Sequence, residues 1–323
     1  MGSDIYVLDI NEVNVKDLDL VGGKAIGLGN LCRHGIKVPK GFVVTTNAYS
    51  DFMKQTNLHG HIKSVLNDLN DHGIDSLTEM SKRIKLSFMN ANVPKALSEK
   101  IIGAYVSYGE GLVAVRSSAT AEDLPEISFA GQQNSFLNIV DSQEVVSHVQ
   151  QCWASLYEPR AMFYRSQHGM NQIDIEMAVI VQAMVQPECS GVLFTIDPVS
   201  GDTDSIVVDA VFGLGESLVS GYADPDHYVL DKSSLIIKEK YFNKQGWMLT
   251  RKLGERSSIG ETNVWTKVSE DKQNVQKLTD LQIVALAGMG REIETICQAP
   301  QDIEWAQEGG DFYVVQSRSV TTR

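Results

Sequence analysis

Acidic and polar residues near the end of the chain fall at alternate positions of two strand-like runs. Asp302-Ile303-Glu304-Trp305-Ala306 leads through the turn Glu308-Gly309-Gly310-Asp311 into Phe312-Tyr313-Val314-Val315-Gln316-Ser317-Arg318. The alternation predicts a β-hairpin with Ile303 and Trp305 on one face and Asp302 and Glu304 on the other. On the return strand Val314, Gln316 and Arg318 are expected to share a face. Carboxylates, an amide and a guanidinium on one wall suit Mg²⁺ and phosphate oxygens. The competing reading is the solvated face of an ordinary hairpin.

Other segments carry the same kind of chemistry. Gly22-Gly23-Lys24 at the start of a predicted helix can offer backbone amides and an ammonium to a phosphate. It is not a Walker A sequence, because the glycines adjoin the lysine and no Ser or Thr follows; a tight helix-entry turn is the alternative. Arg116 follows the apolar Val113-Ala114-Val115 and precedes small residues, so its fork of donors can leave a strand end toward phosphate oxygens. Ser117, Ser118 and Thr120 add hydroxyls. The rival role for Arg116 is pairing with Glu122 or Asp123. Gly131-Gln132-Gln133 can lay backbone N–H groups over phosphates. Gln182 interrupts an apolar strand, and Gln182-Ala183-Met184-Val185 could border an adenine with Met184 as an apolar wall; an ordinary core strand is the alternative. Glu216, after Gly213-Leu214-Gly215, could hold a ribose or cap a helix. Asp197-Pro198 reads as a turn, and His227 is assigned no chemistry.

The elements that must position these residues are mixed. Short strands are expected at Tyr6 to Ile10 and after Pro39. A helix covers residues 20–31 and is capped by Gly35, and mainly helical scaffold runs from His61 to Tyr108 with breaks near Gly73 and Pro94. A strand spans Leu112 to Arg116, and a long helix covers Val145 to Arg165, interrupted or bent near Pro159. Strands follow from Met177 to Val185, at Gly191 to Thr195, at Ile206 to Ala210 and at Tyr228 to Leu230. A peripheral hairpin and loop occupy 235–265. Asp271 to Cys297 is periodic enough for one helix, with Leu278, Leu281, Val284, Ile293 and Ile296 on its apolar side.

With 323 residues, 43% of them hydrophobic, and only 8 prolines, the chain can bury a large core. The absence of any long linker favours two lobes closing over a cleft, taken as 1–180 and 181–323. A net charge of −13 argues against a nucleic-acid partner but not against a nucleotide, whose site needs only a few local cations. Cys32, Cys152, Cys189 and Cys297 are widely spaced, as expected of free thiols in a reducing compartment. No run of 18 apolar residues is present, so a cytoplasmic protein without a membrane partner is expected.

The ordered set of motifs resembles the nucleotide-binding domain shared by phosphoenolpyruvate synthase, pyruvate phosphate dikinase and rifampicin phosphotransferase. The resemblance covers nearly the whole chain. It runs through Val21-Gly22-Gly23-Lys24, Val115-Arg116-Ser117-Ser118-Ala119 and Phe129-Ala130-Gly131-Gln132. It continues through Cys152-Trp153-Ala154-Ser155-Leu156, Ser190-Gly191-Val192-Leu193-Phe194-Thr195 and Gly213-Leu214-Gly215-Glu216, and closes with Gln301-Asp302-Ile303-Glu304-Trp305 and Val315-Gln316-Ser317-Arg318. It implies an α+β fold of ATP-grasp type, with ATP and Mg²⁺ bound between two lobes. Gly23, Lys24 and Arg116 would hold phosphates, with Thr120 beside them and Gly131 and Gln132 lying over them. Gln182, Met184 and Val185 would border adenine, and Glu216 would lie by the ribose. Glu304 and Gln316 would be the metal ligands. Lys24, Arg116 and Arg318 would act in catalysis, Arg318 by stabilising charge on the transferring phosphoryl group.

The resemblance also implies that the pyrophosphoryl group of ATP passes to a histidine on a swivelling domain, releasing AMP. A third domain then binds the small-molecule acceptor. Both domains are expected elsewhere in a longer chain or on a separate subunit. The Cys152-Trp153 helix and Ile303-Glu304-Trp305 lie nearer to the rifampicin phosphotransferase side. The alternatives are a nucleotide-binding or regulatory module without turnover, and an ATP-grasp ligase or kinase forming an acyl phosphate and ADP.

Overall fold

The computed structural model describes residues 5–67, 74–119, 135–253 and 262–320. The chain divides into two compact units, Met1–Gly29 with Lys40–Met184 and Asn30–Pro39 with Val185–Arg323. Both mix helices with antiparallel sheet. The strand carrying Gln182 belongs to the first unit. Residues 30–39 belong to the second, where the Val314 amide donates to the Lys37 carbonyl at 2.9 Å and Lys37 Nζ to Asp311 Oδ1 at 2.6 Å.

The first unit contains β1 (Val7–Asp9), the start of α1 (Leu18–Arg33), β2 (Gly41–Val44), α2 (Thr46–Gln55), α3 (Leu58–Asn67), α4 (Ile74–Asn90), α5 (Lys95–Ser107), β3 (Val113–Ala119), β4 (Ser135–Ile139), α6 (Ser142–Ala154), α7 (Pro159–Gln167) and β5 (Met177–Ala183). The strand order is β1-β2-β5-β3-β4, antiparallel throughout. The central β5 is buried along all but its last residue, which is why Met177 to Val181 reads as a continuous apolar run. One sheet face, carrying Val113, Val115, Val179 and Val181, packs on the helices through Phe52, Phe88 and Trp153. Trp153 stacks on Phe52 at 5.0 Å between ring centres. The helix expected over 145–165 is interrupted near Pro159, as one of the two readings had it. A 3₁₀ turn at Ser155–Tyr157 ends α6, and Pro159 opens α7, where its missing N–H costs nothing.

The second unit contains β6 (Cys189–Phe194), β7 (Ser205–Phe212), α8 (Glu216–Val219), β8 (Asp226–Asp231), β9 (Ile237–Tyr241), β10 (Trp247–Arg251), β11 (Asn263–Lys267), α9 (Asp280–Cys297), β12 (Gln301–Glu308) and β13 (Asp311–Ser319). Its main sheet has the order β13-β12-β6-β7-β8-β9, again antiparallel, with β10 and β11 forming a separate ribbon. Helix α9 lays Ile283, Leu286, Ala287 and Ile293 over Leu193, Val208, Tyr228, Ile303 and Trp305. Gly290 permits that approach, since a Cβ there would meet Leu193 Cδ2 at 2.5 Å.

Helix α9 starts later than the periodicity suggests. Thr279 and Gln282 form a capping box at its start. Just before it, the Lys277 amide donates to Asp226 Oδ2 at 2.8 Å while its ammonium bonds Asp226 Oδ1, both side chains being wholly buried. That ion pair holds the preceding segment out of the helix. Leu278 is therefore buried ahead of α9, and Leu281, expected on its apolar side, is 83% exposed.

Candidate functional site

In the first unit the polar candidates collect on the sheet face away from the helices. Directly opposed residues of neighbouring strands share a face. Arg116 pairs with Ile180, Ser118 with Ala178, and Ala114 with Gln182. Arg116, Ser118 and Gln182 thus lie on one side, opposite Val115 and Val181. Arg116 is half-buried and Gln182 is buried. Lys24 follows a kink in α1 at Gly22, whose φ of 75° and ψ of 166° only glycine adopts readily. A Cβ at Gly22 would lie 2.5 Å from the Ser118 carbonyl oxygen and 2.6 Å from its Oγ. The Ser118 hydroxyl donates to the Val21 carbonyl at 2.8 Å and accepts from the Ala25 amide at 3.4 Å. The Gly-Gly-Lys turn is thus fastened to β3 two residues from Arg116, about 6.6 Å along the strand. The Lys24 charge reaches the Cys152 thiol, whose pKa burial pushes well above the usual thiol range against that opposing pull.

The segment expected to border adenine begins on this sheet. The amides of Ala183 and Met184 are already engaged, donating to Lys40 and Leu112 carbonyls at 2.7 and 2.8 Å. A ligand edge would therefore meet the carbonyls of this stretch and the Val185 amide. Thr120, Gly131 and Gln132, with Glu122 and Asp123, lie outside the described residues.

In the second unit the hairpin forms as expected, with one correction. Glu304 is directly opposite Gln316, and Asp302 opposite Arg318. Between Glu304 and Trp305 the register shifts, so that Trp305 faces Val314 and Val315 is the extra residue of a bulge. Val314 consequently joins Ile303 and Trp305 in the core instead of sharing the face of Gln316 and Arg318. Two apolar residues in succession, Val314-Val315, concealed the bulge from the alternation.

Arg318 is anchored at its base. Its Nε and Nη2 both donate to Asp302 Oδ2, at 2.8 and 2.7 Å, with Asp302 12% and Arg318 49% exposed in the side chain. Burial raises the Asp302 pKa; the Arg318 charge opposes that and Glu304 adds to it. Asp302 was the member of the hairpin to which sequence reasoning gave no separate role, although its spacing of two from Glu304 was the signal.

The row through Gln316 and Glu304 continues across the sheet through Val192, Asp209, His227 and Tyr241. His227 Nδ1 bonds Asp209 Oδ1 at 2.7 Å, and that bond raises the imidazole pKa against partial burial, helped by Asp197 and Glu239. This pair was not anticipated, since strand register alone joins residues so far apart in sequence. Asp197 forms the expected turn, accepting from the Val199 amide at 2.8 Å. Glu216 is exposed in the first turn of α8 and accepts from Asn263 Nδ2 at 3.2 Å, so it is tied to the ribbon. The four cysteines are free thiols. Among the described residues no helix is long and apolar enough to cross a membrane, and no cluster of three or more His, Cys, Asp or Glu side chains is arranged to hold a metal. A metal on the hairpin would have Glu304 and the Gln316 carbonyl as adjacent oxygen donors, a pairing that suits Mg²⁺ when phosphate and water complete the shell.

Known proteins are similar to this chain over nearly its whole length. The family described as pyruvate phosphate dikinase, AMP/ATP-binding domain, matches residues 18–323. The chain is 42% identical to a probable phosphoenolpyruvate synthase of Methanocaldococcus jannaschii, 39% to a rifampicin phosphotransferase of Bacillus subtilis and 37% to a phosphoenolpyruvate synthase of Pyrococcus furiosus. Each alignment takes in 98% of this chain but only 27%, 36% and 44% of the respective relative. The chain thus spans less than half the length of these relatives, and by the extent of the match it belongs to the pyruvate phosphate dikinase AMP/ATP-binding domain family.

Proposed function

We propose that this chain is the ATP-binding component of a phosphotransferase, of ATP-grasp type, acting in the cytoplasm. The observation that carries the reading is the hairpin of the second unit. It sets Glu304 against Gln316, and Arg318 against Asp302, on one polar sheet face in a chain of this family. Lys24 and Arg116 of the first unit hold phosphate oxygens, with Gly23, Thr120, Gly131 and Gln132 around them. Gln182, Met184 and Val185 border the adenine, and Glu216 stands by the ribose. Glu304 and Gln316 hold Mg²⁺, which when bound withdraws charge from the phosphate oxygens. Arg318, steadied by Asp302, directs its remaining N–H groups toward the phosphoryl group that moves. Fixed donors of this kind stabilise developing charge without reorganising during the reaction.

The transfer breaks the bond between the α,β-bridging oxygen and the β-phosphorus and forms a P–N bond to a histidine. AMP departs with the bridging oxygen. The histidine belongs to a swivelling domain, and a further domain presents the small-molecule acceptor; both lie in the rest of a longer chain or on a partner subunit. The test is product analysis after incubation with Mg²⁺ and ATP, with and without the part of the Bacillus subtilis relative that lies outside the matched stretch. AMP that appears only with that polypeptide, with phosphate retained on its histidine, is expected. ADP formation stimulated by a carboxylate would point instead to a ligase, and nucleotide binding without any product to a module without turnover.

A further inference from the structure

The interior of the first unit holds a full positive charge with too few acceptors around it. Arg165 on α7 is wholly buried. Its Nε donates to Gln172 Oε1 at 2.7 Å, Nη2 donates to the Leu156 carbonyl, and the guanidinium carbon lies 5.7 Å from the centre of the Tyr157 ring. Nη1 has no partner. The ionisable groups bearing on it are the hydroxyls of Tyr157 and Tyr49, and burial pulls its pKa below the usual arginine range. Interior guanidinium groups are ordinarily matched by a carboxylate or phosphate; among the described residues no carboxylate forms an ion pair with this one.

A hollow of about 600 Å³ opens on the other side of Gln172. Its walls are α3, with His59 and Lys63, and the segment from Met170 to Asp174. Gln172 lines the hollow and anchors Arg165 through the same side chain, its Nε2 being held by the Met162 carbonyl at 2.8 Å. Among the described residues of the lining Asp174 is the one carboxylate, and Asn171 Nδ2 donates to it at 2.8 Å. Leu66, Met170 and Ile173 supply apolar surface. The volume is in the range of small-molecule sites, and low-dielectric protein lets a buried charge act on a neighbouring cavity. Among the described residues Asp174 offsets Lys63 in the lining, and Arg165 behind the wall leaves the surroundings of the recess with one net positive charge. It is built on the helical layer, on the opposite side of the sheet from Arg116 and Gln182.

We propose that this hollow binds a small organic anion bearing an apolar group. Lys63 and His59 hold the anionic end, the Leu66 and Ile173 side chains cover the apolar end, and Arg165 supplies charge from behind Gln172. The site is independent of the nucleotide reading. Its test is a titration of the isotope-labelled full chain with phenyl phosphate, benzoate, inorganic phosphate and the neutral benzyl alcohol, followed by chemical shifts. Phenyl phosphate and benzoate should give saturable shifts at Met170–Asp174, stronger than inorganic phosphate and absent with benzyl alcohol. Lys63→Glu, an exposed change, should weaken them at least tenfold and leave binding of Mg²⁺ and ATP unchanged. Arg165→Met should weaken them too; if that variant does not fold, K63E decides. Absence of saturation, equal response to benzyl alcohol, or unaltered affinity in K63E would each overturn the proposal.

Discussion

The two sheets solve the same problem differently. Each gives one face to helices and leaves the other to polar side chains. In the second unit the candidate metal and phosphate residues come from one hairpin, so Asp302, Glu304, Gln316 and Arg318 are placed by a single turn and a single bulge. In the first unit Lys24, Arg116 and Gln182 come from three remote stretches. Ser118 fastens the α1 kink that carries Lys24 to β3, and the pairing of β3 with β5 puts Arg116 and Gln182 on one face. A local device is legible in sequence and tolerant of distant change; an assembled one depends on contacts that sequence does not advertise.

That contrast can be broken at its two hinges. Deleting Val315 removes the bulge: Val314 stays opposite Trp305 and Gln316 opposite Glu304, so both faces are kept and only the local twist of the hairpin changes. The second unit should therefore keep most of its stability, while the re-aimed Gln316 and Arg318 lower nucleotide affinity; a large loss of stability in urea unfolding would show that the bulge holds the fold and not the site. Gly22→Ala should act on the other unit. The strained backbone alone costs about 1–3 kcal/mol, and the clash with Ser118 displaces Lys24, so nucleotide affinity should fall together with the first unit's stability. Affinity preserved in G22A would show that the kink does not position the lysine.

Smaller changes sharpen the comparison. Arg318→Ala should lower the transfer rate about 10²- to 10³-fold, the range for removing one preorganised donor, while ATP binding changes little. Lys24→Ala should weaken binding and turnover together; transfer rates against Kd separate the two cases. Equal losses in R318A would remove its transition-state role. Asp302→Asn keeps the shape but removes the charge that steadies Arg318, and should reduce the rate by about tenfold, one order being about 1.4 kcal/mol.

The least effect is expected at His227. Its folded pKa is raised above the ordinary value of 6.5 by Asp209, so the stability it adds is complete below that value and lost as pH rises through the folded pKa. The imidazole is 42% exposed and solvent screens the pair, which limits the gain to less than about 1 kcal/mol. Urea midpoints should therefore separate wild type from His227→Asn near pH 6 and converge in alkali. A constant offset would assign the pair a packing role.

The same contrast explains what the sequence disclosed. Alternation in 302–305 exposed the hairpin, yet could not reveal the bulge, because Val314 and Val315 are both apolar. Helix periodicity extended α9 too far, although Thr279 and Gln282 carry the spacing of a capping box; the buried Lys277–Asp226 pair that enforces the boundary joins distant segments. Arg116 and Gln182 were recognisable by residue type, but their common face required the register of β3 with β5. Asp209 and His227 became partners only through the register of β7 with β8.

The most direct test replaces Mg²⁺ with Mn²⁺ and titrates its ATP complex into isotope-labelled protein, using paramagnetic broadening to locate the metal. The account predicts that the Gln316 side-chain amide and the backbone signals of Glu304 and Gln316 vanish first, and that Glu304→Gln largely abolishes the effect. Broadening centred elsewhere, with those signals intact at saturation, would contradict the assignment of the hairpin as the metal and phosphate site.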